Sequence, residues 1–195
     1  MNFLILDGPR GPQLAENLAY RAYRGTYRRQ PTYCNEVPED HEINQLFFWF
    51  IEEGGELGVV RDLRKARRFA ELWNACLEDH DRFEVVEATD GDSVPTHGGM
   101  FLGFDLSSGY NNSLLVSGLR QSPGIATLPE PVQELCRLLM RHYAPQLNSA
   151  GLFDGIEGAT SCLESMSALQ ELSPNLFEGG ELKDFHPVGV HVVLR

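Results

Sequence analysis

The stretch LGFDLSSGYNNSLL (102–115) gathers side chains that could do chemistry. An apolar run ends at Asp105. Ser107, Ser108, Tyr110, Asn111, Asn112 and Ser113 follow before the chain turns apolar again. A carboxylate delivered at the end of a strand, followed by hydroxyls and amides, can hold a ligand or present hydrogen bonds to a partner. Asp105, Ser107, Ser108, Tyr110, Asn111 and Asn112 are therefore the candidate partner-binding residues. The same residue types build turns through local side-chain-to-backbone bonds. Asn112 or Ser113 could equally cap a short helix over Leu114 to Leu119.

Two basic stretches are the next candidates. In AYRAYRGTYRR, Tyr20, Tyr23 and Tyr27 interleave with Arg21, Arg24 and Arg28, a pattern that can stack bases and grip phosphates. In RDLRKARR (61–68), the charges of Arg61, Arg64, Lys65 and Arg68 fall opposite an apolar stripe. That placement suits a solvated helix face, with a phosphate or acidic-peptide site as the functional alternative. The six histidines (41, 80, 97, 142, 186 and 191) form no H-E-x-x-H or Cys/His zinc spacing, so no metal or cofactor is expected. His191 lies in an apolar strand, where a hydrogen-bonded core histidine is the usual case. No nucleophile elbow and no phosphate loop occur, and no catalytic residue is assigned. An enzyme would need a Cys or Asp105 brought beside a His by the fold.

These residues need elements to position them. NFLIL (2–6) reads as a strand closed by a turn at Asp7-Gly8-Pro9, and residues 13–24 as a helix stopping at Gly25. INQLFFWFI (43–51), by its length and aromatic content, reads as a buried core strand. Leu63, Ala66, Ala70, Trp73 and Leu77 place a helix over 61–78. Strands follow at 82–89 and 99–106, the latter with Met100, Leu102, Phe104 and Leu106 on one face. Thr127 and Glu130 form a capping-box pattern before a helix that puts Val132, Leu135, Cys136, Leu139 and Tyr143 on one side and ends at Pro145. A second helix covers about 157–172, and FHPVGVHVVL (185–194), apolar on both faces, reads as an inner strand. This order predicts one α+β domain over residues 1–195, with helices packed on a mixed or antiparallel sheet.

FLGFDLSSGYNNSLL together with LNSAGLFD (147–154) resembles the small acidic immunity proteins of bacterial toxin systems. The resemblance implies a cytosolic binder that neutralises a partner by occlusion and carries over no individual binding residue. Charge agrees with it. The chain has a formal net charge of −12, and residues 81–195 carry 15 acidic against 6 basic side chains. Such a surface repels nucleic-acid backbones and suits a basic protein partner. The four cysteines are scattered and read as free thiols, and no run approaches the ~20 apolar residues that span a bilayer. The expectation is a cytoplasmic protein-binding module of immunity or inhibitor type. A small hydrolase-like enzyme and a nucleic-acid module using residues 20–29 are the alternatives.

Overall fold

The structure is a computed structural model, and it describes residues 2–9, 40–54, 59–76, 81–108, 112–113, 129–148, 151–173 and 182–193. The Tyr/Arg stretch, the helix expected at 13–24, Tyr110, Asn111, Leu114 to Leu119 and Thr127 lie outside these residues.

Among the described residues six strands form one sheet: β1 (Asn2–Pro9), β2 (Val59–Val60), β3 (Asp81–Asp90), β4 (Gly99–Ser108), β5 (Asn112–Ser113) and β6 (His186–Val193). Their order is β2-β1-β3-β6-β4-β5, and every pairing is antiparallel. The fold is α+β, as the sequence predicts. β6 is the inner strand its composition demands: it pairs with β3 on one side and β4 on the other. β1 does not turn at Asp7. It continues to Pro9, which lies opposite Asp81 at the strand end, where a missing N–H costs little.

Alternation along the strands separates two cores. Val85 and Val193 belong to a cluster under two helices, α1 (Glu42–Gly54) and α2 (Leu63–Cys76). Their neighbours Val86 and Val192 belong to a second cluster, under α3 (Glu130–Tyr143) and α4 (Ile156–Leu172). Neighbouring residues of a strand point to opposite faces, so the sheet is covered on both sides.

α2 starts where Asp62 caps it. The Asp62 Oδ1 accepts the Lys65 amide at 3.0 Å, and its carbonyl accepts that of Ala66 at 2.9 Å. Ala66, Phe69, Ala70 and Trp73 then line the buried stripe. In α4 the stripe is Ala159, Cys162, Met166 and Leu169. Tyr143, at the end of α3, is buried and donates to or accepts from Ser161 and Ser165 on α4, at 2.8–3.0 Å. Leu135, expected on the inner face of α3, is exposed instead.

INQLFFWFI is a helix, not a core strand. A short, unbroken apolar run has no visible period, and only Ile43 and Ile51 in it are β-branched. Folding supplies the period: Ile43, Phe50 and Gly54 are buried, Leu46, Phe47 and Trp49 half-buried, and Phe48 is 57% exposed. In β4 the expected alternation also breaks. A bulge between Phe101 and Gly103 shifts the register and leaves Met100 exposed. Gly103 has φ +140°, and a Cβ there would lie 2.7 Å from that of Leu152, so the bulge requires glycine.

The two sides of α1 should respond differently to truncation. Phe50→Ala is expected to cost about 3–5 kcal/mol in urea unfolding, and Phe48→Ala to stay within about 0.5 kcal/mol of wild type. Equal losses would return the whole run to the core.

Candidate functional site

The polar stretch lies on β4 and β5, and its residues divide by burial. β4 runs through Asp105 to Ser108, so Asp105 sits inside a strand and not at its end. Asp105 and Ser107 are wholly inaccessible to solvent. The Asp105 Oδ1 accepts the Leu106 amide at 2.8 Å. Ser108 is half-buried and pairs with Asn112 of β5. LNSAGLFD comes to the same place. Phe153 exchanges backbone hydrogen bonds with Phe104 at 2.7 and 3.0 Å, and the Asn148 amide donates to the Leu102 carbonyl and to Asp154, each at 2.8 Å. The two stretches that carry the family resemblance are thus in contact, through hydrogen bonds that hold β4 in place.

A second polar group lies on the opposite side of the sheet; the sequence points to His191 in it, as a core histidine, and not to Glu87 or Thr89. β3 and β4 are both antiparallel to β6, hence parallel to each other, so residues 91–98 must return along the sheet. They return over Glu87, whose side chain is almost completely buried. Its carboxylate accepts the amides of Thr96 at 2.9 Å and His97 at 3.1 Å, and His97 Nδ1 stands 3.7 Å away. These bonds offset the desolvation of a buried carboxylate. Across the ladder from Glu87 is His191, also buried, with Nε2 3.2 Å from the Thr89 hydroxyl. Phe101 packs on the His191 ring at 5.1 Å, and among the described residues the His191 Nδ1 has no hydrogen-bond partner. Burial holds this imidazole below its usual pKa, opposed in part by the Glu87 carboxylate.

His97 joins this buried row to the surface. Its ring meets Phe3 edge-on at 5.4 Å and lines a cavity of about 530 Å³. The other described lining residues come from one face of α2: Leu63, Arg64, Arg67, Arg68 and Glu71. Glu42 of α1 takes the Arg68 guanidinium at Nε and Nη2, at 2.9 and 2.6 Å. This pairing pulls the Glu42 carboxyl below the usual carboxylate range and fixes the guanidinium plane. The cavity thus presents one oriented guanidinium, that of Arg68, with Arg64 and Arg67 beside it in the lining.

The described thiols are poor nucleophiles. Cys136 and Cys162 are buried free cysteines; burial raises both pKa values, that of Cys162 to about 12. An Asp–His pair does form, Asp90 with His186 at 3.1 Å, exposed at the sheet's end. Among the described residues no three His, Cys, Asp or Glu side chains cluster as metal ligands, and no helix is long and apolar enough to cross a membrane. Comparison with protein-family models, curated proteins and solved structures finds no match for this chain.

The environment of His191 determines a pH response. Its pKa is lowered by folding, so the unfolded chain takes up the proton first. Stability from the neutral ring is complete above about pH 6.5 and is lost as pH falls through the lowered native value. Urea unfolding from about pH 7.5 down to pH 5 should show wild type losing stability faster than His191→Gln. Parallel profiles for the two proteins would refute this role of His191.

Proposed function

We propose that the protein is a binding module of immunity or inhibitor type that occludes a basic partner protein, and that α1 is its contact face. One observation carries the reading: α1 turns large apolar side chains outward among carboxylates. Phe48 is 57% and Ile51 38% exposed, one helical turn apart. The helix contains Glu42, Glu52 and Glu53 and no Lys or Arg. An aromatic anchor inside an acidic rim suits a partner with an apolar pocket edged by Lys and Arg.

The charge on this helix supports the reading. Glu52 and Glu53 occupy the last turn, where the macrodipole disfavours anions by about 0.3–1 kcal/mol each. Glu53 is partly relieved, since it accepts the Arg61 amide at 2.6 Å and the Trp49 indole N–H. Glu52 is exposed. A carboxylate that does not favour its own helix is one whose use lies outside it. The net charge of −12 acts in the same direction, because a negative field accelerates encounter with a cationic protein.

Wild type, Phe48→Asp and Glu52→Lys used in parallel as baits in lysate of the source cells test this. The expected result is a basic protein, identified by mass spectrometry, that wild type retains and both variants lose, with unchanged melting temperatures. Its association rate with wild type should fall as salt rises from about 0.05 to 0.5 M, as the screening length shortens. Retention of that protein by both variants, or capture of acidic proteins alone, would overturn the proposal.

A further inference from the structure

We infer that the cavity between α2 and the 91–98 loop is a binding site for a small soluble phosphomonoester. Its oxyanion would be held by Arg64, Arg67 and Arg68, with His97 beside them. This site is separate from the outward face of α1, and it does not depend on the partner-binding proposal.

The first argument is the arrangement of donors. Arg64, Arg67 and Arg68 are spaced i, i+3 and i+4, so their side chains leave the helix on neighbouring rows and meet at one cavity. Glu42 holds Arg68 by two hydrogen bonds, so its guanidinium is oriented before any ligand arrives. His97 is held from below, because Glu87 binds its backbone amide. The Nδ1 of His97 faces that same carboxylate at 3.7 Å. A fixed guanidinium, two further arginines and an imidazole match the terminal oxygens of a phosphate better than the two oxygens of a carboxylate.

The second argument is cost. Five of the chain's 16 basic residues fall within positions 61–68, and like charges one turn apart destabilise a helix by about 0.2–0.5 kcal/mol per pair. The protein's overall charge of −12 repels anions, so binding here depends on local geometry and not on the general field. A bound dianion would relieve the crowding.

The third argument selects the class. A volume of about 530 Å³ is far more than a lone phosphate fills and lies within the range of small-molecule sites. Leu63 contributes apolar wall, and Glu71 contributes an acceptor 3.8 Å from the Arg68 Nη1. Glu71 repels a bare polyanion and accepts a hydrogen bond from a hydroxyl. The preferred ligand therefore carries a phosphate and a hydroxyl on a short carbon skeleton.

Titration calorimetry with inorganic phosphate and with glycerol 3-phosphate, up to about 20 mM each, tests the assignment. Saturable binding of glycerol 3-phosphate is expected, at least about threefold tighter than inorganic phosphate. Arg64→Gln should weaken it about tenfold or more, because it removes a charge-assisted donor, whereas Lys65→Gln, on the same helix but outside the lining, should change it less than about twofold. Glu71→Gln should narrow the gap between ester and inorganic phosphate. Absence of saturation would overturn the site. Equal weakening by Arg64→Gln and Lys65→Gln would reduce it to general electrostatics, and equal affinity for both ligands in wild type would remove the ester from the assignment.

Discussion

The insertion of β6 between β3 and β4 is the constraint on which the rest of the structure depends. β3 and β4 are consecutive in sequence but lie two strand spacings apart, about 9.5 Å, and they run parallel. The chain must therefore carry residues 91–98 back across the sheet, with fewer residues than the dozen or so that parallel connections normally use. A crossover this short passes close to the strands. Gly189 answers that closeness: a Cβ there would lie 2.6 Å from the Thr89 hydroxyl and 3.5 Å from the Gly91 carbonyl oxygen. Glu87 answers it as well, by supplying a buried acceptor for two amides of the returning segment. A carboxylate inside the molecule is expensive unless such donors reach it. The crossover and the buried charge thus make each other possible.

That arrangement fixes where polar chemistry can reach the surface. The crossover ends at His97, whose ring is held between Phe3 of β1 and the cavity beneath α2. α1 and α2 then divide the surface by sign. The former carries three glutamates and no basic residue, and the latter begins with arginines and a lysine where the helix dipole is positive. The C-terminal end of α1 and the N-terminal end of α2 carry the charge that their own dipoles disfavour. Two contacts tie the helices together: the Glu42–Arg68 pair, and Lys65 over the Trp49 ring at 5.3 Å. Local mismatch of this kind is expected where a surface is kept for something other than helix stability.

Much of the architecture was legible because periodicity reports burial. The stripe of α2, the inner position of β6 and the stop at Pro145 all follow from residue spacing alone. LFFWFI was misread because a run apolar at every position contains no period, and only packing decides which rings face in. The bulge in β4 escaped for another reason. Its cause is the approach of Leu152 and Phe153, about 50 positions away in sequence, and no local pattern records that. Asp105 was misplaced by one assumption, that an apolar run stops at its first carboxylate. Its buried Oδ1 accepts the amide of the next residue, so the strand can continue through it.

The arginines of α2 illustrate how far a sequence can be taken. Their spacing identified a cationic helix face, and a solvated face was a sufficient account while nothing was known to lie opposite it. The deciding residue was His97, 29 or more positions beyond these arginines and brought to them only because the crossover returns over Glu87. Without that return no imidazole would stand beside these arginines. A charged helix face becomes a binding site when a second element closes one side of it, and here the element that closes the cavity is the one that closes the sheet. Occupation of the cavity and integrity of the crossover are therefore linked. A ligand that binds only the native arrangement must stabilise the loop, and any change that frees the loop must weaken the ligand.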